Sequence, residues 1–198
     1  MLRRTSALLN VFVAPRRSQH TVPKVGVSVA LMRRSEKTTE VLLIKRAKEP
    51  ALGLWALPGG HLELGEKITD CAARELEEEA CISPKDISVS EAIHCSDSIY
   101  KNDGVVSYHF LLASVCALVI KGRESSIQPI ASTDASDVRW FNVSEWNDKD
   151  VLFYENQKII PGVGTVVNKA VRMLDRDWKD QTNDLAFNEK HSNLNWSN

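Results

Sequence analysis

At 198 residues, with 43% hydrophobic and 26% charged side chains, the chain is long enough for one domain with its own core and too short for two of ordinary size. A formal net charge of −1 gives no global pull toward nucleic acid or anionic lipid, and no apolar run approaches the roughly 18 residues of a membrane span. Cys71, Cys81, Cys95 and Cys116 show no CxxC spacing, which argues against zinc or a disulfide framework and predicts free thiols in a reducing compartment.

Residues 1–23 are basic and rich in hydroxyls, and the first acidic residue of the chain is Glu36. Arg3, Arg4, Arg16 and Arg17 flank an apolar stretch in which Leu8, Leu9, Val11 and Phe12 would line one side of a short helix. That composition predicts a mitochondrial transit peptide, or otherwise a basic disordered arm on a cytoplasmic protein. A secretory signal fits less well, because Asn10 interrupts the apolar stretch and Pro15-Arg16-Arg17 follows it.

The folded domain is expected over 24–178. VGVSVALM from Val25 and EVLLIKR from Glu40 read as two strands joined by the polar turn Ser35–Thr39. Residues 47–59 carry Pro50, Gly53, Pro58 and Gly59 and form a loop around the short segment Leu54-Trp55-Ala56-Leu57. From Glu66 to Ala80 there is no proline or glycine, and the spacing predicts a helix of about four turns. On that helix Glu75, Glu78 and Glu79 fall on one arc, beside an arc of Thr69, Ala73, Leu76 and Ala80 suited to a sheet. Pro84 ends helical continuation, Ile87–His94 is strand-like, and the polar stretch Ser96–Gly104 ends in Asn-Asp-Gly, a hairpin signal. Val105–Ile120 is a long β run with a bend or break expected near Ala113, and Lys121–Ser136 reads as loop. A last short strand, Val138–Phe141, precedes a capped turn at Ser144. Val167, Ala170, Val171 and Leu174 then mark one face of a terminal helix over 164–176, and 179–198 is a polar, Asn-rich tail. Strands, helix, strands, helix in that order imply an α/β fold in which a mixed sheet is covered by helices on both faces.

Like charges three and four apart on a helix repel by a few tenths of a kcal/mol per pair, so the glutamate arc needs a reason. One is a solvated acidic face softened by Lys67 and Arg74; the other is a site for a hard divalent cation, which takes carboxylate and phosphate oxygens. The wider spacing favours the second. Gly60, five residues, Glu66, seven residues, Arg74-Glu75-Leu76, one residue, Glu78-Glu79, two residues and Ile82 resemble the Nudix box of the Nudix hydrolase superfamily. The upstream GLWALPGGHLELGE extends the likeness, which covers about 24–175. The departure is Cys81, where the family pattern has a glycine that permits a left-handed helix exit, so a different exit is expected here.

The resemblance implies a Nudix-like α/β/α sandwich and hydrolysis of nucleoside diphosphates linked to another group. Tyr108-His109 and the segment Asp134–Trp140 look most like the ADP-ribose pyrophosphatase branch, with a triphosphate-hydrolysing branch nearby. Carried over from the family, Glu78 and Glu79 would hold Mg²⁺ or Mn²⁺ with the Gly60 carbonyl, Glu75 would be a further ligand or the base, and Glu66 would lie close. Arg74 would orient the carboxylates by charge-assisted hydrogen bonds. Outside the box, Trp55, Tyr100, Tyr108 and Phe153 are aromatics able to stack on a base, although ordinary core packing is favoured for each, and Arg123 and Lys121 lie in a loop where they either meet a terminal phosphate or are solvated; Trp55, Tyr108 and Arg123 are the substrate-binding candidates. His61, His94 and His109 are read as structural, since Mg²⁺ does not prefer imidazole. A nucleotide substrate is expected, membrane and nucleic acid are not, and a homodimer stays open. Two alternatives remain: a pool-cleaning triphosphate pyrophosphohydrolase, and a Nudix scaffold that has lost hydrolysis and binds RNA or a ribonucleoprotein.

Overall fold

The computed structural model describes residues 22–35, 37–49, 51–124, 127–132, 134–143, 146, 153–154 and 157–181, with side chains described as far as 175. β1 (Lys24–Arg34) is the strand on which the sheet is built. On one side it pairs antiparallel with β2 (Thr39–Arg46), Met32 opposite Val41, and on the other it runs parallel to β6 (Val105–Val119), from Lys24 opposite Phe110 to Met32 opposite Leu118. β3 (Trp55–Ala56) and β7 (Ala135–Asn142) join β2, β4 (Gly59–His61) joins β1, and β5 (Ile87–Asn102) closes the far side against β6. The result is a seven-stranded mixed sheet with main order β3-β2-β1-β6-β5.

Alternation along β1 sends its side chains to two separate cores. Val27, Val29 and Leu31 meet Cys71, Ala72, Leu76 and Ala80 of α1 (Ile68–Ala80). Ala30 and Met32 point the other way, toward Val163, Val166, Val167, Ala170 and Leu174 of α2 (Val163–Gln181). Each large aliphatic side chain buried this way contributes about 1.5–3 kcal/mol, and the two helices cover opposite faces of the sheet. This is the expected α/β/α sandwich. All four cysteines are free, and no helix among the described residues is long and apolar enough to cross a membrane.

The elements differ from expectation where tertiary pairing overrides local composition. β5 continues through the polar residues Ser96–Asn102, because each finds a partner on β6, down to Asn102 opposite Val105. Only Asp103 and Gly104 remain for the turn, both with positive φ (50° and 78°), as a tight two-residue hairpin requires. β6 runs unbroken through Ala113; the register shifts fall near the ends of β5, between Val89 and His94 and at Tyr100/Lys101. β7 starts three residues earlier than Val138. α1 starts at Ile68 and not at Glu66, since Lys67 is extended (φ −80°, ψ 151°), while α2 runs past residue 178 to Gln181. A small hairpin of β8 (Phe153–Tyr154) and β9 (Gln157–Lys158) stands where no element was expected. The cap at Ser144, the N-terminal segment and the tail beyond 181 lie outside the described residues.

Candidate metal and phosphate site

β4 places two glycines against β1, Gly59 opposite Ser28 and Gly60 opposite Val27. Gly59 excludes a side chain, and a side chain at Gly60 would displace the Glu75 carboxylate. A Cβ on Gly59, whose φ is 153°, would lie 2.1 Å from the Val27 carbonyl oxygen, and one on Gly60 would lie 2.2 Å from Glu75 Oε1. The Glu75 carboxylate thus rests in the space that glycine leaves open. One helical turn on, Glu79 accepts a hydrogen bond from the Gly59 N–H at 2.8 Å. The rows 71-75-79 and 72-76-80 lie side by side on α1, so both glutamates are buried along the margin of the apolar stripe. Glu78 is exposed, its side chain 58% accessible. The three carboxylates therefore do not share one solvated face, as expected from the helix alone; two turn inward to the diglycine strand and one outward.

Arg74 ties the acidic groups together. It forms a two-pronged pair with Glu66 (Nε to Oε1 2.8 Å, Nη2 to Oε2 3.1 Å) and donates from Nη1 to Glu75 at 2.8 Å and to Glu78 at 3.3 Å. Its Nη2 also reaches the His61 carbonyl at 3.1 Å and the Cys71 sulfur at 3.3 Å, fastening α1 to the end of β4. These contacts through His61 and Cys71 were not anticipated. The available signal was the i,i+3 spacing of Cys71 and Arg74, which puts them on neighbouring turns.

Protonation follows the same geometry. The Arg74 guanidinium holds Glu66 well below the usual carboxylate range, at about 2, and the carboxylates in turn hold Arg74 charged. Burial raises Glu75 despite Arg74. Burial also pushes Glu79 up to about 7 against the lowering effect of the Gly59 N–H, and the Cys71 thiol up to about 12. Two carboxylates are thus buried against the diglycine strand, one held by Arg74 and the other by the Gly59 N–H, and burial raises the proton affinity of both. In donor type and in charge demand the residues fit a hard divalent cation. Glu66, Glu75 and Glu78 are drawn to Arg74 and Glu79 to the Gly59 N–H; among the described residues no three acidic, histidine or cysteine side chains converge closely enough to enclose an ion.

The three side chains expected to meet substrate are not brought together. Trp55 is 1% exposed, packed edge-on against Phe141 at 4.9 Å with Arg139 over its ring, because Leu54–Leu57 folds inward as an edge of the sheet. It is core, which corrects the stacking role. Arg123 lies in the turn after β6, 3.7 Å from Asp86. Tyr108 sits near the other end of that strand, about 35 Å away at the usual rise per residue, so the two cannot grip one small nucleotide. Tyr108 stacks on Tyr100 (5.3 Å) and is followed by Phe110 (5.8 Å) and His61 (5.0 Å from Phe110), a row of rings leading to β4. His109 pairs with Asp97 at 2.9 Å and His94 receives a hydrogen bond from Lys169 at 2.8 Å; burial and that lysine lower His94. The Phe153 side chain is outside the described residues.

A mixed sheet between two helices, with the carboxylates of one turned onto a diglycine strand, defines the class: an α/β/α sandwich with its polar site where α1 meets the β4 edge. The NUDIX domain family model matches residues 22–161, more than half of the chain, and the chain belongs to that family. It is 33% identical over 125 residues to an ADP-ribose pyrophosphatase of Methanocaldococcus jannaschii, covering 63% of this chain and 66% of that protein. It is 42% identical over 67 residues to the human 8-oxo-dGDP phosphatase NUDT18, covering 34% of this chain and 20% of the relative. The chain thus spans less than two thirds of either relative's length. Among solved structures it superposes on a MutT/nudix family protein from Enterococcus faecalis with a TM-score of 0.59 at 21% identity, over 80% of this chain and 64% of that one.

Proposed function

We propose that this protein is a divalent-metal-dependent hydrolase that cleaves the diphosphate linkage of nucleoside diphosphate derivatives, ADP-ribose among them. The observation that carries the reading is the burial of Glu75 and Glu79 against Gly59 and Gly60, which raises the proton affinity of both carboxylates. The similarity to an archaeal ADP-ribose pyrophosphatase supports the choice of substrate.

Mg²⁺ or Mn²⁺, when bound, supplies positive charge to the diphosphate oxygens. Glu78 and Glu79 would hold it with the Gly60 carbonyl, and Glu66 would lie close, just ahead of α1. Glu75, whose proton affinity burial has raised, is placed to be a ligand or to accept the proton of the attacking water. Arg74 acts by positioning, since its donors are directed at Glu66, Glu75, Glu78 and His61. Water oxygen bonds to one phosphorus as the bridging P–O bond breaks, which from ADP-ribose gives AMP and ribose 5-phosphate. Tyr108, backed by Tyr100, offers a ring face to the base.

The similarity to an 8-oxo-dGDP phosphatase supports a second reading, hydrolysis within the nucleotide pool. One assay separates these. With Mg²⁺ the first predicts AMP from ADP-ribose, the second pyrophosphate from a nucleoside triphosphate, and an inactive RNA-binding scaffold predicts no product from either. Glu78→Gln should lower turnover on the order of 10²- to 10⁴-fold while leaving the melting midpoint in place; near-wild-type turnover would overturn the metal assignment. The composition of residues 1–23 supports mitochondrial import, which N-terminal sequencing of protein isolated from cells tests: an intact Met1 counts against a cleaved leader.

A further inference from the structure

Among the described residues β5 is the last strand on its side of the sheet, so the hydrogen-bonding groups of its outer edge face away from β6. A long open edge is a template for another strand, and folded proteins usually blunt it with like charges, bulges or proline. The segment Asp97-Ser98-Ile99-Tyr100-Lys101 carries neither a row of like charges nor a proline, and at its register shift, Tyr100/Lys101, the extra residue is Ser107 of β6, so β5 itself keeps its alternation. It contains no proline, pairs with β6 in continuous register as far as Tyr100, and exposes Ile99 and Tyr100 to 50% each. Its two charges have opposite sign and stand two residues either side of Ile99. Asp97, Ile99 and Lys101 share one face of the strand by alternation, and Ser98 and Tyr100 share the other.

We infer that this edge is the contact between two copies of the chain, β5 pairing antiparallel with β5 of the second copy about a two-fold axis at Ile99. In that register Ile99 faces its own counterpart, and Asp97 of each chain faces Lys101 of the other, twice, at the close spacing of directly opposed residues. On the reverse face Tyr100 lies opposite Ser98. The occupant is a second copy because the pattern is complementary to itself: a row of one sign would repel its duplicate, whereas these charges, reversed by the two-fold, meet their opposites. Asp97 also accepts a hydrogen bond from His109 at 2.9 Å, which holds the carboxylate near the edge and leaves it 62% exposed. The pairing joins two sheets into one and extends the Tyr100–Tyr108 row toward the partner. So short an interface predicts a dimer with a Kd on the order of micromolar, weakened by salt.

The test is sedimentation equilibrium of the full-length protein across a wide concentration range. Wild type should show a monomer–dimer equilibrium. Asp97→Lys and Lys101→Asp should each weaken it about tenfold or more, since each replaces two attractions with two repulsions. Lys101→Asp leaves the His109 contact untouched and must act alike. An equimolar mixture of the two variants should recover dimer, because one edge then carries two cations and the other two carboxylates; so should the double variant. Circular dichroism melting reports whether each variant is folded. A wild-type protein that stays monomeric at every concentration overturns the inference. So does a dimer that neither reversal weakens, or two weakened variants that fail to associate when mixed.

Discussion

Cys81 shows at single-residue scale how backbone demand and side-chain identity can disagree. A cysteine in the place of the family's glycine suggests another helix exit, yet φ is 55° and ψ 33°, the left-handed conformation that glycine adopts freely. The reason is local. Cys81 N–H donates to the Glu77 carbonyl and Ile82 N–H to Leu76, which satisfies the helix end and lets Ile82 drop into the core. A side chain in that conformation costs roughly 1–2 kcal/mol, partly offset because glycine loses more entropy on folding. Cys81→Gly should therefore stabilise the protein by about 0.5 kcal/mol or leave it unchanged, with hydrolysis equal or faster. Urea unfolding and turnover check this, and a clear loss of either would assign the thiol a role.

Glu79 gives the second prediction at this scale. Its native proton affinity, at about 7, lies above the ordinary carboxylate value of 4.5 that it regains on unfolding. Between those values the native state holds a proton that the unfolded state has lost, so the slope of stability with pH is negative. In chelator the melting midpoint should fall from about pH 5 to about pH 8 through this group and Glu75, which burial raises in the same direction. Added Mg²⁺ should raise the midpoint more at pH 8 than at pH 5, where protons compete for the same oxygens. Glu79→Gln should flatten the profile; an unaltered slope in that variant would remove Glu79 as its source.

Among the elements, α1 was legible because its composition and glutamate spacing act within one helix. What the spacing left open is which carboxylates turn inward, since that depends on β4, a three-residue strand whose place is set by pairing with β1. The same limit applies to Trp55. A tryptophan between glycine and alanine in a loop reads equally as a platform or as a wedge, and only the pairing of β3 with β2 commits it to the core beside Phe141. Ser96–Asn102 looked like a turn because polar side chains dominate, whereas cross-strand partners on β6 decided its conformation. The two aromatics should now separate cleanly by experiment. Trp55→Ala removes a fully buried ring and should cost about 3–5 kcal/mol of stability. Tyr108→Ala, on the half-buried row of rings, should lower the midpoint much less than Trp55→Ala and raise KM about tenfold, in line with stacking on a base. If Tyr108→Ala leaves KM unaltered while Trp55→Ala raises it without destabilising the fold, the assignment is reversed.

At the scale of the whole molecule, both cores begin, among the described residues, within β1. The first core side chain is Val27, the first paired residue is Lys24, and the family match opens at residue 22. Both ends of the candidate site, β4 and α1, are positioned by β1 through Gly59 opposite Ser28 and through Val27, Val29 and Leu31. A protein beginning at Val22 should therefore keep the melting midpoint, Mg²⁺ dependence and turnover of the full chain. On the proposed reading of residues 1–21 as a leader, they would then act on where the protein goes, measured by whether they are needed for import into isolated mitochondria. A truncated protein that melts earlier or turns over more slowly would mean that residues 1–21 contribute to the folded domain, and the leader reading would have to be given up.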